Sequence, residues 1–179
     1  MKSVAIFCAA SENIAPGYFE VAAEVGNLLG RLGATLVYGG ARFGLMEATA
    51  KAAKISGARI VGVVPQILEE RDRVSSLLDE KVSCNNLSDR KDIMLTRSDV
   101  IVALPGGVGT LDEIFHVAAA ATIGYHSKRV VLYNANGFWN GLMSVLGEMS
   151  DEGFVRAGLH NIITVVNSIE ELETLIKEA

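Results

Sequence analysis

The sequence predicts an α/β fold of the Rossmann-like, doubly wound type, in which helices cover both faces of a mostly parallel sheet. Apolar, β-branched runs of strand length alternate with longer segments of helical period, which is typical of βαβ units. Three of the strands are followed by glycine-rich or polar loops, and open parallel sheets bind their ligands at such loops. Half of the 179 residues are apolar, enough to bury one sizeable core. We therefore expect one domain over residues 1–179.

Seven strands and five helices are predicted from this alternation. The strands are residues 3–9, 34–38, 59–64, 81–85, 99–104, 128–133 and 162–166, and the fourth has the weakest pattern. The helices are residues 16–32, a second one that ends at Gly57, a third capped by Ser88 that runs to Arg97, a fourth from Thr110 to near Gly124, and 169–178. Pro16 suits a first helical position, and Ser88 and Ser168 suit N-caps. Residues 66–80 are polar and form either a short helix or a mobile lid.

Composition excludes several classes of function. The net charge of −5 disfavours nucleic acid as a partner, and the longest charge-free apolar stretches are shorter than the ~20 residues of a membrane span. The apolar run after Lys2 is at the lower limit for a secretory signal, so a buried strand is the preferred interpretation. Two cysteines without a CxxC pair suit a reducing cytoplasm, and the three histidines lack metal-ligand spacing.

The strongest chemical signal is the loop Leu104-Pro-Gly-Gly-Val-Gly-Thr-Leu-Asp-Glu113, which runs from a buried strand through glycines into a helix. Glycines let a ligand approach the backbone, and a helix start offers unpaired N–H groups to an anion. The loop is neither a Walker A motif nor a GxGxxG motif, so one terminal phosphate is favoured over a dinucleotide or a triphosphate. The candidate phosphate-binding residues are Gly106, Gly107, Val108, Gly109, Thr110 and Asp112. A tight turn without a ligand is the alternative.

Glu113 lies one turn inside the helix that follows this loop, at the edge of an apolar stretch with no other acid. Such a carboxylate could position water as a base or stabilise a developing cation. The alternative is a first-turn acid that interacts only with the helix dipole, a role that Asp112 already suits.

A basic helix start at Asp89-Arg90-Lys91 is the second element. Arg90 and Met94 share a helix face by their i, i+4 spacing. The guanidinium could hold a phosphate or a ribose while the thioether lies against a base, with Lys91 as a further anion contact. A solvated surface is the alternative.

The third element is the loop Tyr38-Gly39-Gly40-Ala41-Arg42, which also connects a strand to a helix. We expect a ligand in the same crevice to come close to the backbone of Gly39 and Gly40 as well. Arg42 is a candidate anion contact. Ser11 follows the first strand and supplies a hydroxyl to the same ligand.

These motifs together resemble the Lonely guy family of cytokinin riboside 5′-monophosphate phosphoribohydrolases, many members of which have been labelled lysine decarboxylases. Residues 105–113 match the family's PGGxGTxxE motif, and residues 89–91 are similar to the (E)RK element that precedes it. Further similarity reaches from Phe7-Cys8 through Gly44-Leu45-Met46 to Glu152-Gly153-Phe154, so it covers nearly the whole chain.

The resemblance implies a Rossmann-like homodimer that hydrolyses the N-glycosidic bond of a purine nucleoside 5′-monophosphate to free base and ribose 5-phosphate. It implies Arg90 and Glu113 as the catalytic residues, and no metal or organic cofactor. The chain departs from the family pattern at Ala41, Glu47, Leu87-Ser88-Asp89 and residues 119–122. The base is therefore either plain adenine or N6-modified adenine.

The sequence leaves two other classes of function to consider. A carrier that binds a nucleotide or a pterin-type cofactor without hydrolysis is the alternative on the same fold. A decarboxylase is rejected, because that chemistry needs a Schiff-base lysine and no lysine is expected near the loop at residues 104–113, which we call the cradle loop. A second domain of the kind such an enzyme uses is not predicted either. The helix from Ile114 to Ile123 is apolar on nearly every side, which independently predicts a homodimer.

Overall fold

A computed structural model describes residues 2–155 and 158–179 as a seven-stranded sheet with helices on both sides. The strands are β1 (Ser3–Phe7), β2 (Thr35–Tyr38), β3 (Arg59–Pro65), β4 (Glu80–Cys84), β5 (Val100–Ala103), β6 (Val130–Tyr133) and β7 (Ile163–Val166). The helices are α1 (Pro16–Arg31), α2 (Gly44–Ile55), α3 (Gln66–Glu70), α4 (Leu87–Thr96), α5 (Val108–Thr122), α6 (Asn140–Asp151) and α7 (Ile169–Glu178). This arrangement confirms the predicted fold class.

The strand order is β4-β3-β2-β1-β5-β6-β7, and neighbouring strands pair in parallel throughout. The order reverses beside β1, whose two neighbours are β2 and β5. Loops that leave β1, β2 and β5 at their carboxyl ends therefore diverge there and open a crevice, which is where open α/β sheets bind ligands.

Alternate side chains of the strands supply two hydrophobic cores, one on each face of the sheet. On one face, strand residues such as Ile6 and Leu36 pack with Leu28 of α1 and Leu172 of α7. On the other, strand residues pack with Met94 of α4, with α5 and with α6. Buried parallel strands need apolar residues on both faces, which explains their continuous apolar sequences.

All seven predicted strands are present, and the weak fourth one forms the edge strand β4. Helix α6 was not predicted, because its segment carries Gly141 and Gly147 and buries only Leu146. Between α3 and β4, Val74 pairs with Ala41 in an isolated antiparallel bridge, so the short-helix interpretation of residues 66–80 fits better than a free lid. Over the described ranges, no helix combines the length and apolarity that a membrane span requires.

Two predicted helix starts were wrong. The N-cap of α4 is Asn86 rather than Ser88: the Asn86 side chain accepts hydrogen bonds from the backbone N–H groups of Ser88 and Asp89, both at 2.9 Å. Helix α5 begins at Val108, two residues before Thr110, because Gly107 adopts the non-helical N-cap conformation.

Candidate active site

A cavity of about 380 Å³ lies at the carboxyl ends of β1 and β5, where the strand order reverses. Four segments wall it: the residues after β1, the first turn of α2, the first turns of α4, and the start of α5. Its lining residues are Cys8, Ala9, Ala10, Ser11, Met46, Leu87, Arg90, Lys91, Gly107, Gly109, Thr110, Asp112 and Glu113. Eight of these were predicted site residues, so the fold brings together motifs that are up to a hundred residues apart in sequence.

The start of α5 forms one wall of the cavity and is open to an anion. Within the part of the chain that the structure describes, the N-cap Gly107 forms no side-chain cap, so the N–H groups of the first turn are available to solvent or a ligand. A Cβ added at Gly107 or Gly109 would meet no atom within 4 Å. Gly106 differs, because a Cβ there would lie 2.1 Å from Oγ1 of the buried Thr110. Gly106 thus packs against Thr110, while Gly107 and Gly109 border open space.

Glu113 is the sixth residue of α5, and its side chain faces the cavity while remaining only 7% exposed. Burial is the largest cause that raises the pKa of this carboxyl from its ordinary value of 4.5 to about 7. The Arg90 cation opposes the rise, the Asp112 carboxylate adds to it, and the Lys91 ammonium opposes it. Near neutral pH this group therefore exists in both protonation states, as a general acid or base requires.

Arg90 enters the cavity from α4 as a buried cation, 8% exposed. Its Nε–H donates to the carbonyl oxygen of Val63 at 3.0 Å, and Nη2 donates to the carbonyl oxygen of Gly39 at 2.5 Å. A guanidinium has five N–H donors, so three remain for other partners. The solvated alternative for this helix start is wrong, since Arg90 is buried at the site.

The start of α4 is held rigidly, which fixes where Arg90 projects. Besides the Asn86 cap, the Asp89 carboxylate accepts hydrogen bonds from the backbone N–H of Asn85 at 2.9 Å and from its side-chain amide at 3.0 Å. Asp89 thus serves the turn before α4.

Lys91 and Asp112 both line the cavity, and they bind each other. The buried Lys91 ammonium donates to both carboxylate oxygens of Asp112, each at 2.7 Å. This ion pair ties α4 to α5 and places a lysine beside the β5–α5 loop, so the expectation that no lysine lies near that loop was wrong. The Lys91 ammonium is engaged by Asp112.

Six predicted binding residues do not line the cavity. They are Gly39, Gly40, Arg42, Met94, Gly106 and Val108. Met94 is fully buried in the hydrophobic core with Phe7 and Ile114, so the expected contact of its thioether with a base is wrong. The reason is that α4 must bury an apolar side chain against the sheet, and Met94 is that side chain.

Arg42 and Val108 point elsewhere. The Arg42 guanidinium pairs with Asp72 at 3.2 Å and lies 5.4 Å from the ring centre of Phe43, so it joins its loop to the segment after α3. The Val108 residue is 84% exposed, so only its backbone is available to the cradle.

Several lining residues were not predicted, among them Met46 at the start of α2 and Leu87 at the start of α4. Cys8 also contributes; burial, followed by the nearby Glu113 carboxylate, raises the pKa of its thiol, which therefore stays protonated. The one sequence signal that they share is their position, because each lies in a segment that follows the carboxyl end of a strand. A second cavity of about 300 Å³ adjoins the first, shares Ala10, Met46 and Arg90 with it, and extends to Phe43 and Arg73.

Comparison with known proteins adds independent information. Residues 46–176 match a family model described as possible lysine decarboxylase. A cytokinin riboside 5′-monophosphate phosphoribohydrolase of Mycobacterium tuberculosis is 38% identical over 169 residues, covering 94% of this chain and 90% of that protein. One from Arabidopsis thaliana is 34% identical over 177 residues, covering 99% of this chain and 82% of that protein.

Solved structures show the same fold at lower identity. The molybdenum cofactor carrier protein of Chlamydomonas reinhardtii superposes with a TM-score of 0.76 at 23% identity, covering 99% of this chain and 96% of that one. A molybdenum cofactor binding protein of Rippkaea orientalis gives a TM-score of 0.72 at 22% identity with the same coverage. At this identity the likeness concerns the fold alone.

The resemblance inferred from the PGGxGTxxE and RK motifs is confirmed by the family model and by relatives that align over nearly the full length of the chain. The chain therefore belongs to the Lonely guy family, the family of the cytokinin riboside 5′-monophosphate phosphoribohydrolases.

Proposed function

We propose that this protein hydrolyses the N-glycosidic bond of a purine nucleoside 5′-monophosphate, releasing the free base and ribose 5-phosphate. The observation that carries the proposal is the buried Glu113 carboxyl, with its pKa near 7, in the same cavity as the uncapped start of α5 and the Arg90 guanidinium. The relatives named above as phosphoribohydrolases support the same activity.

The 5′-phosphate would bind at the start of α5, where Gly107 and Gly109 leave room for its oxygens and no side-chain cap at Gly107 occupies the first N–H groups. The Thr110 side chain and Ser11 border the same space. The net charge of the chain is −5, so the attraction of a phosphate must come from these local donors and from Arg90 rather than from the overall field. Phosphate binding would then fix the ribose beside Glu113.

Cleavage of the C1′–N bond passes through an oxocarbenium-like state, which a carboxylate stabilises. In its ionised form Glu113 would face that developing positive charge and orient a water molecule. The bonding electron pair leaves with the purine nitrogen, the water oxygen bonds to C1′, and the water proton passes through Glu113 to the base. The free N–H groups of Arg90 would offset negative charge on the departing purine.

Purified protein should be incubated with AMP and with N6-isopentenyl-AMP, and free base and ribose 5-phosphate measured by chromatography. Glu113→Gln should lower kcat by about 10²- to 10⁴-fold. The matched control is Glu20→Gln on the exposed side of α1, which should leave kcat unchanged. Release of no base from either nucleotide, or full activity of Glu113→Gln, would contradict the proposal. Stoichiometric retention of an unaltered nucleotide would instead favour the carrier alternative.

The comparison of the two substrates also addresses the base preference. Of the positions where the chain departs from the family pattern, Ala41 lines the second cavity and Leu87 lines the first. These departures leave the start of α5 and Glu113 unchanged. We therefore expect them to affect which base is preferred rather than how the phosphate binds.

We further propose that the protein is cytoplasmic and that its active form is a homodimer. The compartment is supported by the two cysteines, which are both free, as a reducing environment would keep them.

The dimer is supported by an exposed apolar surface. A groove of about 620 Å³ runs between α4 and the end of α5, and Ile123 and Tyr125 at its edge are 67% and 81% exposed. A second copy of the chain would cover these apolar side chains. Light scattering should give twice the chain mass of 19.0 kDa, and Ile123→Glu should lower it; a stable wild-type monomer at micromolar concentration would refute the dimer.

A further inference from the structure

The position of the Arg90 guanidinium depends on two backbone carbonyls at strand ends. Val63 in β3 accepts from Nε and Gly39 after β2 accepts from Nη2. These two hydrogen bonds fix the plane of the guanidinium, because they hold two different nitrogens of one rigid planar group. Arg90 lines both cavities, so N–H groups beyond these two hydrogen bonds are available to a ligand there.

Gly39 makes this arrangement possible by having no side chain. A Cβ built on Gly39 would lie 1.8 Å from Nη2 of Arg90 and 2.8 Å from its Cζ. Contacts this short do not occur, so an alanine would displace the guanidinium. Met46 Cε, the next neighbour, would lie at 3.3 Å and belongs to a flexible side chain.

Backbone conformation does not explain this glycine. Gly40 and Gly44 have positive φ values, whereas Gly39 does not, so no left-handed conformation requires a glycine there. The cavity does not explain it either, since Gly39 is not among the residues that line it. The remaining constraint at this position is Arg90.

We propose that Gly39 is a positioning residue that acts through Arg90: it supplies one carbonyl acceptor and the empty space that together hold the guanidinium at the reacting centre. The inference rests on the proposed function for its catalytic consequence. The contact itself can be tested without that function.

The test is a double-mutant cycle made of Gly39→Ala, Arg90→Ala and both together, in which unfolding in urea and the rate of base release are each measured. Gly39→Ala should destabilise the wild-type protein and have little effect in the Arg90→Ala background, where the space is vacant. It should lower kcat about tenfold or more with a smaller change in KM, and should lower kcat no further once Arg90 is gone. Gly141→Ala on α6, which meets no neighbour within 4 Å, is the matched control and should leave kcat unchanged.

An equal loss of stability in both backgrounds would overturn the contact, because the alanine would then collide with something other than Arg90. If Gly39→Ala destabilised the wild-type protein but not the Arg90→Ala protein, and yet kept the wild-type kcat, the positioning role would be overturned. If the wild-type protein released no base, the proposed function would fail, and the cycle would be repeated with AMP binding by calorimetry. If Gly39→Ala and Arg90→Ala then changed the AMP affinity independently of each other, or if the wild-type protein did not bind AMP, the positioning role would be overturned. The urea unfolding measurements would still test the contact between Gly39 and Arg90.

Discussion

The β2–α2 loop and the β5–α5 loop look alike in sequence and differ in three dimensions. Both leave a buried strand, pass through glycines and enter a helix that carries a carboxylate, Glu47 in α2 and Glu113 in α5. Both were predicted to offer backbone to a ligand. Only the β5–α5 loop lines the first cavity with glycines.

In the β2–α2 loop the space beside each glycine is occupied by the protein. A Cβ at Gly39 would meet Arg90, one at Gly40 would lie 2.6 Å from Val64, and one at Gly44 would lie 2.5 Å from the backbone oxygen of Ser11. Gly44 also has a φ of 60°, in the left-handed region that favours glycine. These glycines let parts of the protein approach one another.

In the β5–α5 loop, Gly107 and Gly109 have empty space beside them. Their absent side chains leave room for a ligand. A glycine-rich loop after a strand therefore has two different physical uses, and substitutions should separate them. Changes in the first loop act on stability, and at Gly39 also on catalysis through Arg90. Changes at Gly107 and Gly109 in the second loop act on binding.

The largest effect is expected for Gly44→Ala. The new Cβ would collide with backbone atoms of Ala10 and Ser11, which cannot rotate away, and the positive φ adds strain. The free energy of unfolding, measured in urea, should fall by about 3 kcal/mol or more. A loss below about 1 kcal/mol would mean that the loop has room to move and would break the comparison.

Glu113→Gln should stabilise the protein at pH 8 by about 3 kcal/mol, nearly as large an effect with the opposite sign. Because the pKa of Glu113 is raised from 4.5 to about 7 on folding, its contribution to stability is intact below pH 4.5 and is lost as pH rises through 7. Glutamine carries no charge and avoids that loss. Urea unfolding of both proteins at pH 4 and pH 8 checks this; equal stabilities at pH 8 would show that Glu113 is not penalised by burial.

Gly109→Ala should raise KM for AMP about tenfold and leave the fold intact. Its Cβ meets no protein atom and replaces a glycine within α5, so the free energy of unfolding should stay constant or rise by less than about 1 kcal/mol. The methyl group would instead occupy space where we place the phosphate. Steady-state kinetics together with urea unfolding test both parts, and an unchanged KM would place the phosphate elsewhere.

The smallest effect is expected for Lys91→Met, which should shift the pH profile of kcat/KM to higher pH by a fraction of a unit. Lys91 lowers the pKa of Glu113 and neutralises Asp112, whose charge raises that pKa. Removal of the ammonium should therefore raise the pKa of Glu113 further. Lys177→Met, which breaks an exposed ion pair with Glu173 on α7, is the control and should not move the profile. A shift to lower pH would contradict the electrostatic argument.

Local sequence patterns were enough to predict the strands, most helices, and the segments that meet at the site. The apolar runs predicted all seven strands, and the motifs at residues 89–91 and 105–113 identified Arg90, Lys91 and Glu113 as neighbours of one crevice. The prediction failed for α6, whose glycines obscure its helical period, and for the cap of α4, where Asn86 and Ser88 are both good capping residues.

The sequence by itself determined the order of the elements, the fold class and the family, because strand length, helical period and the PGGxGTxxE motif are properties of short segments. Only the tertiary structure decided that Met94 belongs to the core, that Lys91 pairs with Asp112, that Gly39 makes room for Arg90, and that Glu113 is buried enough to raise its pKa. These features join residues 21 to 51 positions apart or depend on burial. Packing of distant segments creates them, and no local pattern records which neighbours a side chain will meet.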